Sequence, residues 1–261
     1  MNRRLSTFDA FFRREFRTCI RNRFLHGFTA LSLLFGTGIA FLAPSAGSIP
    51  YLQLQVILYL IPLFCVLIGV SSAHGELEEQ ALLLSQPISR LAWAGGKAAS
   101  LIFSSGVILA LVFIPALFAG ASPLLLAGLW AQSAALGAVF LVLGLAVGFS
   151  TEERVRGLIY AVLIWLFLLI GFDILAFAAS RLPLFRELPV LWLTILLLNP
   201  VDAIRVAVLF QLEEIPFAVP GDAAVVGFWM SKLIPWSFLL AALWIAALLA
   251  WSWFRLERPA P

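Results

Sequence analysis

Residues 24–72 read FLHGFTALSLLFGTGIAFLAPSAGSIPYLQLQVILYLIPLFCVLIGVSS, without one aspartate, glutamate, lysine or arginine. A helix needs about 20 mostly apolar residues to cross a bilayer, so this run is long enough for two crossings. Pro44, Ser45, Gly47, Ser48 and Pro50 divide it, because such residues favour a turn over a continuing helix. The reading is a first helix over about 25–43 and a second over about 51–73.

The rest of the chain repeats the pattern. From Ala98 to Thr151 there is again no charge, and Gly120, Ser122 and Pro123 split the run. That gives a third helix over about 98–119 and a fourth over about 124–149. A fifth, over about 157–179, holds a single charge, Asp173, and a sixth covers about 233–254. The expected fold is all-α: one polytopic transmembrane domain over residues 1–261 with six transmembrane helices. Composition agrees, since 62% of the 261 residues are hydrophobic and 12% charged. Soluble domains run near 45–50% apolar and about 25% charged, and so few charges could not cover the surface of a water-soluble fold of this size.

Charge placement sets the orientation. Seven of the seventeen basic residues precede Phe24: Arg3, Arg4, Arg13, Arg14, Arg17, Arg21 and Arg23. With the N-terminus in the cytoplasm, Arg90, Lys97, Arg154, Arg156, Arg255 and Arg258 bring the inner count to thirteen. The outer pieces hold four: Arg181, Arg186, Arg205 and Lys232. Basic residues concentrate on the cytoplasmic side, so both ends are expected inside (N-in/C-in). The net charge of +3 therefore reads as membrane topology and not as a nucleic-acid surface. A cleavable signal peptide is a poor fit, because its basic part would contain four phenylalanines and its apolar part would exceed the usual length. Cys19, Cys65, His26, His74, Met1 and Met230 are too few and too scattered for a disulfide framework or a soft-metal pathway.

Four segments carry chemistry. Over residues 6–23, Phe8, Phe11, Phe12 and Phe16 fall on one helical face, and Arg13, Arg14, Arg17 and Arg21 lie largely elsewhere. That is the pattern of an amphipathic helix lying in the membrane interface. The loop over 74–97 contains Glu76, Glu78 and Glu79, which suit the positive end of a helix dipole. Leu77, Leu82, Leu83 and Leu84 extend it as a short amphipathic helix that Pro87 ends. A cytoplasmic partner could grip such a helix; it could equally be a surface helix without one. The outer segment over 180–232 is the longest soluble piece, read as two short membrane-edge helices joined at Asn199-Pro200, with Asp202 a candidate N-cap. Asp173, inside a span, is a functional hypothesis by default or a polar tie between helices. What is missing also decides something. Gly96-Lys97 resembles the end of a phosphate-binding loop, but Leu91 stands where its first glycine belongs. No cofactor site, metal motif or catalytic triad is legible, so the chain reads as a non-catalytic subunit.

The order of these features resembles the ABC-2 type transporter permeases: a basic interfacial helix, six spans, a Glu-rich helix ending Leu82-Leu83-Leu84-Ser85-x-Pro87-x-x-Arg90 after the second span, then Gly96-Lys97. Glu78-Glu79-Gln80 stands where the family usually continues Gly-Thr-Leu. Two further segments, Trp165-Leu166-Phe167-Leu168 with Phe172-Asp173, and Leu197-Leu198-Asn199-Pro200-Val201-Asp202-Ala203-Ile204-Arg205, are similar to the permeases of nitrous oxide reductase maturation transporters. The resemblance implies a bacterial inner-membrane permease that pairs with a second copy of itself, is surrounded by lipid and sits on a dimer of a separate cytoplasmic ATPase. ATP and Mg would bind that partner and not this chain. It implies that Glu76, Leu77, Glu78, Glu79, Leu82, Leu83, Leu84, Pro87, Arg90 and Lys97 form the ATPase-coupling element. It also implies a periplasmic β-helical accessory protein, for which Asn199, Pro200, Asp202 and Arg205 are the expected outer docking surface. The cargo would serve the copper–sulfur centres of nitrous oxide reductase, with a sulfur species a candidate. An exporter of a lipid, drug or haem-related cargo, and an energy-independent scaffold, remain open as alternatives.

Overall fold

The first apolar run folds as two helices that break at the proline–serine–glycine stretch. The structure is a computed structural model that describes residues 2–19, 22–75, 90–183, 187, 189–213 and 223–257. Among these residues there is no strand. Helix α1 spans Asn2–Cys19. Asn22 then caps α2, Arg23–Leu42, its side-chain oxygen accepting the Phe24 N–H at 2.9 Å. Ala43 turns extended before Pro44, as a residue preceding proline should.

Helix α3, Ala46–His74, opens with a 3-10 turn and widens into a π turn at Val56–Leu60. Pro62 follows. It has no N–H to give back to the preceding turn, and a wider turn accommodates such a loss. Helix α4 is Arg90–Phe118. Its end is a Schellman motif, with Gly120 at φ +85°, Ala121 N–H donating to Ala116 O at 3.1 Å and Gly120 N–H to Leu117 O at 3.2 Å. Helix α5, Pro123–Ser150, starts on the proline that the sequence marked as the break. Helix α6, Arg154–Ala179, contains a second π turn at Phe167–Gly171. Two short helices follow, α7 at Pro189–Leu196 and α8 at Pro200–Glu213, then α9 at Ala223–Glu257.

Six of the described helices, α2 to α6 and α9, are long and apolar enough to cross a membrane. Helices α3 and α5 form the core. Gly69 and Gly144 face each other across their contact: a Cβ on Gly69 would meet the Leu141 carbonyl, and one on Gly144 the Val66 carbonyl. The two backbones touch there, as small residues allow in membrane helix pairs. The most apolar stretch of α5 is 72% buried, whereas that of α6 is 17% buried. Helix α6 therefore turns most of its apolar surface outward, with Ile159, Leu163, Phe167, Ile170 and Ile174 all exposed.

Three expected boundaries move. Helix α4 begins at Arg90 and not near residue 98, so Gly95, Gly96 and Lys97 lie inside it. Helix α9 begins at Ala223, ten residues before the expected Leu233, and takes in Lys232. The outer segment is correspondingly shorter. Helix α3 starts at Ala46 and not near residue 51. In each case polar or glycine residues near a span end continue the helix, because local propensity is a weak prior that packing overrides.

Candidate functional site

The second π turn of α6 and the start of α8 build one polar cluster. Asn199 is the residue at its centre. Its Oδ1 accepts the Val201 N–H at 3.2 Å and its backbone oxygen accepts the Ala203 N–H at 2.9 Å, so Asn199 caps α8. Asp202, the expected cap, sits instead in the first helical turn, because the helix opens at Pro200, where a missing N–H costs nothing. Both side-chain N–H groups of Asn199 are used as well: Nδ2 donates to the Leu168 carbonyl at 2.7 Å and to Asp202 Oδ2 at 2.6 Å. One amide thus ties the π turn of α6 to α8.

Arg205 completes the cluster. Its Nη1 donates to Asp173 Oδ2 of α6 at 2.8 Å and lies 3.0 Å from Asp202 Oδ1, one turn back on its own helix. The Asp202 side chain is 3% exposed and that of Asp173 38%. Asp173, Asn199, Asp202 and Arg205 therefore form a single network. Asn199, Pro200 and Asp202 are buried within this chain. Arg205 and Asp173 are the partly exposed members. Burial pushes the Asp202 carboxyl up to about 7. The Arg205 charge pulls it down, the neighbouring Asp173 carboxylate raises it, and the Asn199 hydrogen bond opposes the rise. Helix α9 holds the residues just before the cluster: Trp236 Nε1 donates to the Leu197 carbonyl at 3.0 Å and Trp244 Nε1 to the Leu198 carbonyl at 3.2 Å. These satisfy backbone oxygens that the end of α7 leaves over.

The proposed coupling residues Glu76, Leu77, Glu78, Glu79, Leu82, Leu83, Leu84 and Pro87 lie outside the described residues. Arg90 opens α4. The two approaches to this segment are described, and each is pinned. At the end of α3, His74 Nδ1 lies 3.1 Å from the Val70 carbonyl and Nε2 3.0 Å from the Thr151 carbonyl, joining α3 to the turn between α5 and α6. Beside it Arg154 Nη2 donates to Ser71 Oγ at 3.0 Å, and its guanidinium lies 5.6 Å from the Phe24 ring centre. Gly157 leaves room for this clamp; a Cβ there would come within 3.0 Å of His74 Cε1.

On the α4 side Lys97 departs from expectation. It lies inside α4, which opens at Arg90. Its Nζ lies 3.0 Å from Glu15 Oε2 of α1, and the two side chains are 1% and 2% exposed. Its charge is neutralised inside the protein, next to the Trp93 ring. Glu15 is a residue that sequence reasoning passed over, although the signal was there. It falls three residues after Phe12 and one before Phe16, on the phenylalanine face of α1. That face packs on α4, where the Phe12 and Phe16 ring centres lie 6.1 and 6.0 Å from that of Phe103. These rings cover protein and not lipid alone. His74 was passed over too, because its partner Thr151 stands 77 residues away.

No family model matches the chain. It is similar to a protein of Pseudomonas aeruginosa described as a probable ABC transporter permease protein NosY, with 29% identity over 214 residues that take in 74% of this chain and 78% of that one. With its six apolar helices, the chain is a multi-pass helical protein that resembles an ABC transporter permease.

Proposed function

We propose that this chain is the membrane-spanning subunit of an ATP-driven ABC exporter that supports assembly of the copper–sulfur centres of nitrous oxide reductase. The observation that carries this reading is the 29% identity to the permease NosY. A second observation supports the narrower part. The two stretches that resemble maturation permeases, around residues 165–173 and 197–205, meet in the fold through Asn199–Leu168 and Arg205–Asp173.

In this reading two copies of the chain span the inner membrane of a bacterium and sit on a cytoplasmic ATPase dimer. The chain offers no phosphate-binding loop, so ATP and Mg bind the partner. Closure of the ATPase moves the 76–84 segment. The clamps at His74–Thr151 and Lys97–Glu15 carry that movement into α3 and α4. A sulfur-containing cargo leaves on the outer side, where a β-helical accessory protein docks near α7 and α8.

Deletion of the gene in its own host is the test. Nitrous oxide reductase purified from that strain should lack the absorption bands of its copper–sulfur centre and its activity, and the intact gene should restore both. A fully loaded reductase from the deletion strain would exclude the maturation role and leave a different cargo.

A further inference from the structure

We propose that the outward face of α1 binds the headgroup of an anionic phospholipid through Arg13, Arg17 and Arg23. Helix α1 turns its other face to the protein. Glu15 pairs with Lys97, Cys19 Sγ lies 4.0 Å from Ser100 Oγ, and the Phe12 and Phe16 rings lean on that of Phe103. Lys97, Ser100 and Phe103 stand about one to three turns inside the apolar stretch of α4, which begins at Trp93. At its C-terminal end α1 leads through Asn22 into α2, another helix long and apolar enough to cross a membrane. Helix α1 is thus fixed along the boundary between headgroups and acyl chains, where interfacial helices lie. On the predicted orientation this is the cytoplasmic leaflet.

The outward face is cationic. Arg13 and Arg17 stand one turn apart, on the flank next to Phe12 and Phe16. Arg17 and Arg23 are exposed, and no acid among the described residues pairs with either. Arg13 lies 3.0 Å from Asp9, but the two side chains are 74% and 56% exposed. Such a pair is weak and open to exchange for a phosphate. Glu15 does not offset the arginines, because it is buried against Lys97. Three arginines against one aspartate therefore leave two positive charges. Guanidinium groups pair with phosphate oxygens through forked hydrogen bonds. A zwitterionic headgroup carries its own cation beside its phosphate, so the excess favours a lipid of net negative charge. The apolar part of the ligand is matched as well. Phe12 and Phe16 are half-buried, and Phe103, on a membrane-crossing helix, is 54% exposed. These rings offer acyl chains a surface directly beside the arginines. An acidic protein face or a free phosphate would use the arginines and leave the rings uncovered.

Native mass spectrometry of the full-length chain in detergent reads the affinity of single lipids. The chain is titrated with phosphatidylglycerol, which is anionic, or with phosphatidylcholine of the same acyl chains. The wild type should bind phosphatidylglycerol more tightly, and excess inorganic phosphate should not displace it. Each arginine near an anionic surface is worth about fivefold, so Arg13→Gln with Arg17→Gln should weaken phosphatidylglycerol by up to about 25-fold. Binding of phosphatidylcholine should stay unchanged. Arg181→Gln, at the far end of α6, should behave as the wild type. Equal affinity of the wild type for the two lipids overturns the proposal, as does a double variant that keeps its hold on phosphatidylglycerol. A loss of the same size in Arg181→Gln would mean that net charge and not this face attracts the lipid. Displacement by inorganic phosphate would make the face an anion site only. A double variant that keeps the lipid and loses a co-purifying ATPase would assign the face to that partner. The exchanged side chains are exposed, so the variants are expected to fold. The test needs neither ATPase activity nor cargo, so its outcome is independent of the transport reading.

Discussion

At the scale of the residue, the charges that matter here are those the protein neutralises inside itself. Lys97 and Glu15 illustrate the cost of separating them. Removing one partner of a buried pair strands the other, which typically destabilises by about 3–5 kcal/mol. Lys97→Met should therefore lower the thermal stability of the purified chain and free α1 for early proteolysis. The double change Lys97→Met with Glu15→Leu should recover most of the loss, which a melting curve on all three proteins would read. A single variant as stable as the wild type would mean that the pair contributes nothing. Glu15 could be found in the sequence, as an acid on an otherwise phenylalanine-lined face. The pairing of Asp173 with Arg205 could not. The two stand 32 residues apart, and only the approach of α8 to the π turn of α6 brings them together. Asp202 and Arg205, one turn apart, were legible as a pair. The burial of Asp202 is a tertiary fact that spacing does not encode.

At the scale of the element, charge-free runs gave the helices and glycine positions give their packing. The proline–serine–glycine break and the run around it located α2 and α3, because the bilayer requires about 20 apolar residues and little else. The starts of α4 and α9 lie earlier than expected, because Gly95-Gly96 and Lys232 look like span ends in the sequence. The contact of α3 with α5 is the most demanding. A Cβ on Gly144 would meet backbone atoms, the Val66 carbonyl among them, which cannot move without separating the helices. Gly144→Ala should destabilise by about 1–3 kcal/mol. Gly38→Ala, where a Cβ meets nothing within 4 Å, should be neutral or stabilise by about 0.5–1 kcal/mol through helix propensity. Thermal unfolding of the two variants in one detergent compares them directly, and equal losses would contradict the packing. The coupling segment yields a separate expectation. A leucine buried in a partner's cleft is worth about 1.5–3 kcal/mol, and an exposed ion pair about 0–1 kcal/mol. Leu83→Asp should therefore release the ATPase more completely than Glu78→Ala in co-purification. Equal retention would place Leu83 on the face turned away from the partner.

At the scale of the whole molecule, the account rests on a bundle of six crossings in which α3 and α5 are the core and α6 and α9 lie outermost. Thirteen basic residues against four predict its orientation. A cytoplasm-active reporter fused after Pro261 should be active, and one fused near Gly221 should behave as periplasmic; the reverse at either site would break the six-crossing topology. The outward apolar faces suit lipid and a second copy of the chain, and the segment at 76–84 suits a cytoplasmic partner. The central claim is that this chain works as the permease half of an ABC transporter. The most direct measurement is to purify the tagged full-length chain from its own membranes and assay both its partners and its hydrolysis of ATP. The account predicts that a separate ATPase is retained, that the complex hydrolyses ATP, and that the chain stripped of that partner does not. A folded chain that retains no ATPase, or that hydrolyses ATP by itself, would contradict it.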